Sequence, residues 1–292
     1  MAFKLFTITC LLLPLINLVA LATSIDRKPS AFKFLINLQG LQEGDKAQEI
    51  PQLRKYLKHF GYLSNTTEIQ DTNNVFDQNI AYAIKTYQNF YRLKPTGTLD
   101  TATISMMMRP RCGVIDKIHA TSNNFSHLLY SYFDDKGRWP KDKRSLTYAF
   151  PSGTNEAVNA PVALAFETWR KVVMDFTFTL IDDYASADLK LSFQRGDHGD
   201  RYPFDGPNGI LAHSFEPPVG ILHFDADENF VVDGNPNGYD LGSVALHEIG
   251  HLLGLFHSTD EDAIMYPIIP YGETKGLALD DIQGIKNLYS NF

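Results

Sequence analysis

The sequence predicts an α+β fold in two parts: a small all-α unit of three helices, followed by a domain in which helices back a mixed sheet. Three observations support this prediction. The 292 residues are enough for two domains. Apolar residues recur at helical spacing between about residues 34 and 108, whereas strand-like and helical segments alternate from residue 145 onwards. The hydrophobic fraction of 44% and the charged fraction of 21% are typical of globular proteins.

The first 22 residues have the features of a secretory signal peptide. Lys4 precedes an apolar run that extends to about Leu21, and Ala20-Leu21-Ala22 is a small-x-small cleavage signature. The run is short for an uncleaved anchor, so we expect cleavage after Ala22. The sequence ends without an apolar tail, and we therefore expect no membrane anchor. These features predict a protein secreted to the extracellular space or to the cell wall and apoplast.

Secretion would affect the number of cysteines in the mature chain and would make two glycosylation sequons relevant. Cys10 would leave with the signal peptide, so that Cys112 would be the sole cysteine and would have no intramolecular disulfide partner. Asn65 and Asn124 each begin an N-x-S/T sequon, which is compatible with glycosylation of a secreted protein.

Three helices are expected in the first unit. Apolar residues at near-helical spacing from Leu53 to Leu63 predict the first, and those from Phe76 to Phe90 predict the second, with Asp77 near its start. Asp100 follows a Thr-Gly-Thr turn and caps a third helix, which carries Ile104, Met107 and Met108.

The second unit begins with alternating elements. Ser145–Phe150 reads as a strand, and a long helical pattern follows from Val162 to Val173. Two further strands are expected at Phe176–Ile181 and Asp188–Phe193. This β-α-β order is typical of a mixed sheet backed by helices.

The stretch HEIGHLLGLFH carries the main metal-binding pattern. His247 and His251 lie four residues apart in an apolar run, so a helix places both imidazoles on one face. Glu248 can reach a water held by the metal. His257 would lie about 15 Å from His247 along a continued helix, so the chain must turn back, and Gly254 can take the positive φ that this requires. Three imidazoles would then hold one Zn²⁺ and leave a fourth position open for water.

A bare HExxH is also compatible with a core helix that carries two structural histidines. The longer pattern HExxHxxGxxH is far more specific and resembles the signature of the metzincins, which also includes a downstream methionine turn. Met265 follows eight residues after His257, although a methionine alone is more often an ordinary core residue.

A thiol precedes the second unit in the stretch PRCGVID. The Cys112 thiolate is a strong zinc ligand and could occupy the fourth position, expelling water; the alternative is an unpaired surface cysteine. The stretch resembles the cysteine switch PRCGVPD of the matrixins, the matrix metalloproteinase branch of the metzincins. Arg111 and Asp116, the ion pair of the family, are both present. Ile115 replaces the proline of the motif, so we expect preserved latency with a looser switch.

The matrixin resemblance covers essentially the whole chain. The segments FGYL, AIKTYQNFYRL and TGTLD resemble the peptidoglycan-binding-like helical module of matrix metalloproteinase propeptides. The resemblance implies a propeptide over residues 23–129 and a zinc metalloprotease domain over residues 130–292, with a twisted mixed five-stranded sheet and three helices. The layout is similar to that of the minimal, plant-type matrixins without a hemopexin domain. The family also pairs an aspartate equivalent to Asp280 or Asp281 with the new N-terminus after activation.

A second stretch offers further metal ligands. The loop and strands that follow residue 197 carry a complete tetrahedral set for a structural zinc: His198, Asp200, His213 and His223. An oxygen-rich set suits Ca²⁺: the carboxylates of Asp205, Asp225 and Glu228 and the carbonyls of Gly206, Asn208 and Ile210. Each residue alone is more often plain loop polarity, but the order and spacing match the matrixin zinc and calcium sites. Asp188 matches one side of a second calcium site, whose occupancy stays open.

Substrate contacts follow from the same resemblance. Leu211 and Ala212 resemble the edge strand that pairs with an extended peptide substrate. Ser243 lines the S1′ pocket, and its small side chain should leave room for a bulky apolar P1′ residue. Pro267 begins the wall segment of that pocket, and Ile269 stands where the family usually has tyrosine.

Together the motifs predict a secreted zinc- and calcium-dependent metalloendopeptidase, made as a latent zymogen, with Glu248 as general base. Its partners would be extended polypeptide substrates and an activating protease, and we expect a monomer. The net charge of −8 argues against a nucleic-acid partner. Two alternatives are a catalytically silent extracellular or cell-wall binding protein and a zinc aminopeptidase, which would need a group that recognises an N-terminal amine.

Overall fold

The computed structural model describes residues 30–64, 73–116, 137–232 and 234–289. The predicted signal peptide, the sequons at Asn65 and Asn124 and the predicted propeptide junction near residue 130 lie outside these ranges. Within the described ranges, no helix combines the length and the apolar character that crossing a membrane requires.

The first unit contains the three predicted helices, α1 (Ile50–His59), α2 (Gln78–Phe90) and α3 (Thr101–Met107). The carboxylates of Asp77 and Asp100 cap α2 and α3, because each accepts a hydrogen bond from a backbone amide in the first turn. A 3-10 helix at Ala31–Leu38, which was not predicted, precedes them.

The second unit is built on a five-stranded mixed sheet. Its strands are β1 (Ser145–Ala149), β2 (Thr177–Leu180), β3 (Leu189–Gln194), β4 (Ala212–Phe215) and β5 (Ile221–Asp225). The spatial order is β2-β1-β3-β5-β4, and only β4, at one edge, runs antiparallel to its neighbour. A small parallel pair follows, β6 (Phe230–Val231) with β7 (Tyr239–Asp240). The predicted mixed five-stranded sheet is therefore confirmed.

Three helices complete the second unit: α4 (Asn159–Arg170), α5 (Leu241–Leu252) and α6 (Leu279–Tyr289). Helix α5 begins at the cap Asp240, whose carboxylate accepts from the Ser243 amide. Helices α4 and α5 pack together around the fully buried Trp169, whose indole N–H donates to the Leu246 carbonyl at 2.8 Å. This packing leaves α5 almost entirely buried, with its histidines facing Cys112, which follows the first unit.

The two units share an apolar interface. The buried cluster of the first unit's helices also includes four residues of the second unit: Phe204, Ile210, Tyr266 and Ile268. The Tyr266 ring meets the Tyr91 ring edge-on at 5.8 Å between centroids. The interface therefore holds the chain that leaves α3 directly against α5.

Candidate metal centres

Helix α5 and the turn after it bring three imidazoles to one point. His247 and His251 project from one face of the helix, which ends at Leu252. Gly254, at φ +99°, then turns the chain so that His257 returns to them. The three Nε2 atoms lie 3.2 to 3.3 Å apart. Burial lowers the pKa values of all three imidazoles, which favours the neutral form that binds metals.

The Cys112 thiol completes this group. Its Sγ lies 3.5 Å from the His251 Nε2, and the four ligand atoms lie within 4.8 Å of one another. Three imidazole nitrogens and one sulfur form a donor set that suits tetrahedral zinc. Burial, followed by the nearby Glu248 charge, raises the pKa of the thiol well above its usual range. A metal ion in the site would reverse this effect, because coordination deprotonates a thiol.

Glu248 is buried beside the imidazoles and points towards the same space. Burial raises the pKa of its carboxyl group to about 7, although hydrogen bonds with the Cys112 thiol and the Ser214 hydroxyl oppose the shift. The Ser214 hydroxyl donates to Oε2 at 2.7 Å. Ser214 lies in β4 and was not predicted as a site residue, because no local sequence pattern links it to Glu248, which is 34 residues further along the chain.

The methionine turn lies directly under the helix. A Cβ atom on Gly250 would lie 2.2 Å from the Met265 Sδ, so the glycine permits this close approach. The Asp281 carboxylate accepts hydrogen bonds from the Ile264 and Met265 amides at 2.8 and 3.0 Å. The Ile264 carbonyl in turn lies 2.6 Å from the His247 Nδ1. In the form described here, Asp281 thus holds the turn that orients the first histidine.

The switch segment, Arg111–Gly113, lies like an added strand between Gly209–Ala212 and Pro267–Ile268. On one side, the Arg111 amide donates to the Gly209 carbonyl, the Leu211 amide to the Arg111 carbonyl, and the Gly113 amide to the Ala212 carbonyl, at 2.8 to 3.0 Å. On the other side, the Cys112 amide donates to the Pro267 carbonyl at 2.9 Å. The segment therefore occupies the backbone groups of Leu211, Ala212 and Pro267 that were predicted to contact substrate.

The switch ion pair is fully buried. The Arg111 guanidinium contacts both oxygens of Asp116 and stacks 3.7 Å above the Phe60 ring. The Tyr62 and Tyr91 hydroxyls donate to the Asp116 Oδ2 at 2.6 and 3.1 Å. Both tyrosines come from the helical unit and were not predicted as site residues, since only the packed interface brings them to the switch. Ile115 lies half-buried in the small apolar cluster of Cys112, Val114 and Phe256.

A second four-residue cluster lies at the β4 edge of the sheet. The antiparallel register of β4 and β5 places His213 directly opposite His223, and the loop before β4 brings His198 and Asp200 to them. The Asp200 Oδ2 lies 2.7 to 2.9 Å from a nitrogen of each imidazole. Burial lowers the pKa of His213 to about 4, which again favours the neutral, metal-binding form. The donor set suits a closed tetrahedral zinc site.

Three carboxylates meet in the same loop region. Burial raises the pKa values of Asp205 and Asp225 to about 6 and that of Glu228 to about 7. The Asp225 Oδ2 and the Glu228 Oε2 are buried and have no hydrogen-bond partner among the described residues. The amides of Gly206 and Asn208 contact two of these carboxylates, and the Ile210 amide donates to Asp205. Buried acidic oxygens without donors fit a bound cation such as Ca²⁺.

Two other predicted positions have partners within the protein. The Ser243 hydroxyl donates to Asp240 and accepts from the Lys275 amide at 2.7 and 2.8 Å, and both Ser243 and Lys275 line a cavity of about 650 Å³. The Ser243 side chain thus fixes the loop that borders this cavity. Asp188 forms an ion pair with Lys143 at 2.6 Å and accepts from Thr147.

Comparison with known proteins gives matches to both units of the chain. The Matrixin family of peptidases matches residues 138–290, and a peptidoglycan binding domain family matches residues 46–107. The chain is 41% identical to Metalloendoproteinase 5-MMP of Arabidopsis thaliana, over 89% of this chain and 76% of that protein. It is 43% identical to Metalloendoproteinase 1 of Glycine max, over 84% and 83% respectively. It is 40% identical to Matrix metalloproteinase-20 of Homo sapiens, over 70% and 41%.

The matches extend over both units and include helix α5 and all three histidines of the candidate metal centre. The predicted family and enzyme class are therefore confirmed, and the chain belongs to the matrixin family of metalloendopeptidases.

Proposed function

We propose that the chain is the secreted, latent proenzyme of a zinc- and calcium-dependent endopeptidase that cleaves extracellular proteins. The observation that carries the proposal is the buried group of Cys112, His247, His251 and His257 with Glu248 beside it. A binding protein that had lost activity would have no need of a buried glutamate next to a metal site, because such a charge is costly to bury.

In this proposal the three histidines, whose Nε2 atoms converge, would hold the catalytic zinc. When bound, zinc would lower the pKa of water and polarise the scissile carbonyl. Glu248 takes a proton from the attacking water and delivers it to the nitrogen of the leaving amine. The Ser214 hydroxyl, which donates to the Glu248 Oε2 at 2.7 Å, orients the carboxyl group for both steps.

Latency follows from where the switch segment lies. Cys112 would supply the fourth ligand and leave no position for water, while the backbone of Arg111–Gly113 occupies the edge of β4. An activating protease would cut between the two units and release the segment. An extended substrate would then pair with Leu211 and Ala212 and place its P1′ side chain against Ser243 and Pro267.

Hydrolysis of internally quenched peptides with both ends blocked tests the endopeptidase. We expect chelator-sensitive cleavage by the activated protein, because an endopeptidase does not need a free terminus. An aminopeptidase or a silent binding protein would leave these peptides intact.

We propose that the second cluster holds a structural zinc through His198, Asp200, His213 and His223. The carboxylates of Asp205, Asp225 and Glu228 are proposed to hold a calcium ion. Both ions would stabilise a long loop that has little apolar core of its own. They would support the edge strand that receives the substrate.

Asp200→Ala is expected to lower the zinc content of the purified protein from two ions to one, given the two clusters, and to lower its melting temperature. A loss of about 2 kcal/mol would lower the melting temperature by about 4–8 °C in a domain of this size. Metal analysis and a thermal scan measure both effects. Asp197→Ala, at an exposed neighbouring position, is the matched control. Two zinc ions in the Asp200 variant would contradict the assignment.

A further inference from the structure

The three histidines of the proposed catalytic site differ in the group that lies within hydrogen-bonding distance of the ring Nδ1 atom. The His247 Nδ1 lies 2.6 Å from the Ile264 carbonyl, and the His251 Nδ1 lies 2.7 Å from the Leu255 carbonyl. Both carbonyls belong to the catalytic domain. The His257 Nδ1 instead lies 2.8 Å from the Asp116 Oδ1, a carboxylate that comes from the propeptide.

We propose that Asp116 is a positioning residue for the zinc ligand His257, so that the propeptide helps to bind the metal as well as to block it. This inference rests on the proposed zinc site. It adds a role to the Arg111–Asp116 pair, because the carboxylate acts on the metal through an imidazole as well as holding the switch segment together.

The chemistry of the contact supports this role. A histidine that binds zinc through Nε2 carries its proton on Nδ1, and an acceptor at Nδ1 fixes both the tautomer and the ring orientation. A carboxylate is a stronger acceptor than a carbonyl because the hydrogen bond is charge-assisted, and it makes the imidazole a more basic ligand. The side chains of Asp116 and His257 are both fully buried, so water does not compete for the contact.

The surroundings keep the carboxylate in place and charged. Arg111 contacts both oxygens, while Tyr62 and Tyr91 donate to Oδ2 alone. The oxygen that faces His257 is therefore held by a rigid, buried frame made entirely by the propeptide. Release of the propeptide removes the Cys112 thiolate and this carboxylate together, so the mature enzyme should exchange its zinc faster than the loss of one ligand alone would explain.

Zinc transfer from the full-length protein to a chromophoric chelator tests the proposal. All variants carry Glu248→Gln, which prevents self-cleavage and keeps the propeptide attached. Asp116→Asn removes the charge at His257. Tyr62→Phe and Tyr91→Phe are matched controls, because each removes a hydrogen bond to the other oxygen of the same carboxylate. The rate at which a thiol reagent modifies the buried Cys112 measures how well the switch segment is docked in each variant. A low concentration of denaturant is added to the two tyrosine variants until their Cys112 reacts as fast as that of the Asp116 variant. Zinc release is then compared between variants whose switch segments are equally well docked.

At equal thiol reactivity, we expect Asp116→Asn to release zinc about tenfold faster than either tyrosine variant, the lower end of the range for losing such an outer partner. We also expect a changed visible spectrum in the Co²⁺-substituted protein. Equal transfer rates at equal thiol reactivity would overturn the proposal, since Asp116 would then act only by docking the switch. That result would not contradict the proposed endopeptidase activity, because peptide cleavage by the protein without these substitutions tests that activity separately.

Discussion

Glu248→Gln is expected to reduce kcat/KM for peptide hydrolysis by at least about 1,000-fold, within the range that general acid–base catalysis contributes. Glutamine keeps the size and the hydrogen bond with Ser214 but cannot accept and return a proton. The three histidines and their carbonyl and carboxylate partners are unchanged, so the zinc content should stay the same. Steady-state kinetics on a blocked peptide and metal analysis of the same sample measure the two effects.

Glu273→Gln is a suitable control, because it makes the same chemical change at an exposed position. It should leave both kinetics and zinc content unaltered. Ser214→Ala should produce a smaller loss than Glu248→Gln, since it removes only the group that orients the carboxylate. Full turnover by the Glu248 variant would show that another group carries the proton and would refute the proposed mechanism.

Cys112→Ser is expected to remove latency. The full-length variant should cleave the blocked peptide without any activating treatment, at a rate at least about 100-fold above that of the untreated parent protein, which corresponds to about 2.7 kcal/mol. A neutral hydroxyl is a much weaker zinc ligand than a thiolate, so water can take the fourth position. The same blocked peptide and an intact-mass measurement of the protein show whether activity precedes loss of the propeptide.

A thiol reagent supplies the control for this variant. It should activate the parent protein and leave the serine variant unchanged, because Cys112 is the one cysteine in the described ranges. A Cys112→Ser protein that stays inactive while it binds zinc would mean that the backbone contacts with Ala212 and Pro267 suffice for latency.

Much of the fold follows from local signals in the sequence. Asp77 and Asp100 act through amides three residues later, so a short pattern is enough to place the starts of α2 and α3. The histidine group is also local, since the spacing of His247 and His251 and the glycine at position 254 determine most of its geometry. The 3-10 helix at Ala31–Leu38 was not predicted, although the sequence carries its signals: Ser30 caps it, and its buried residues Phe32, Leu35 and Leu38 recur every three positions.

The contacts that tune the site are long-range and could not be predicted in this way. Ser214 reaches Glu248, and Asp116 reaches His257, only because the sheet edge, helix α5 and the propeptide pack together. Ser243 was expected to leave its pocket open because it is small. The structure adds that its hydroxyl fixes the neighbouring loop through the Lys275 amide, a contact that depends on the path of the loop.

Cleavage of an internally quenched, end-blocked Pro-Leu-Gly-Leu-type peptide by the full-length protein, before and after thiol modification of Cys112, tests the central claim most directly. A sample with chelator accompanies each measurement. We predict no cleavage before modification, cleavage between glycine and leucine after it, and complete loss of cleavage with chelator. Absence of cleavage in every sample, from protein shown by metal analysis to contain zinc, would contradict the proposed latent endopeptidase.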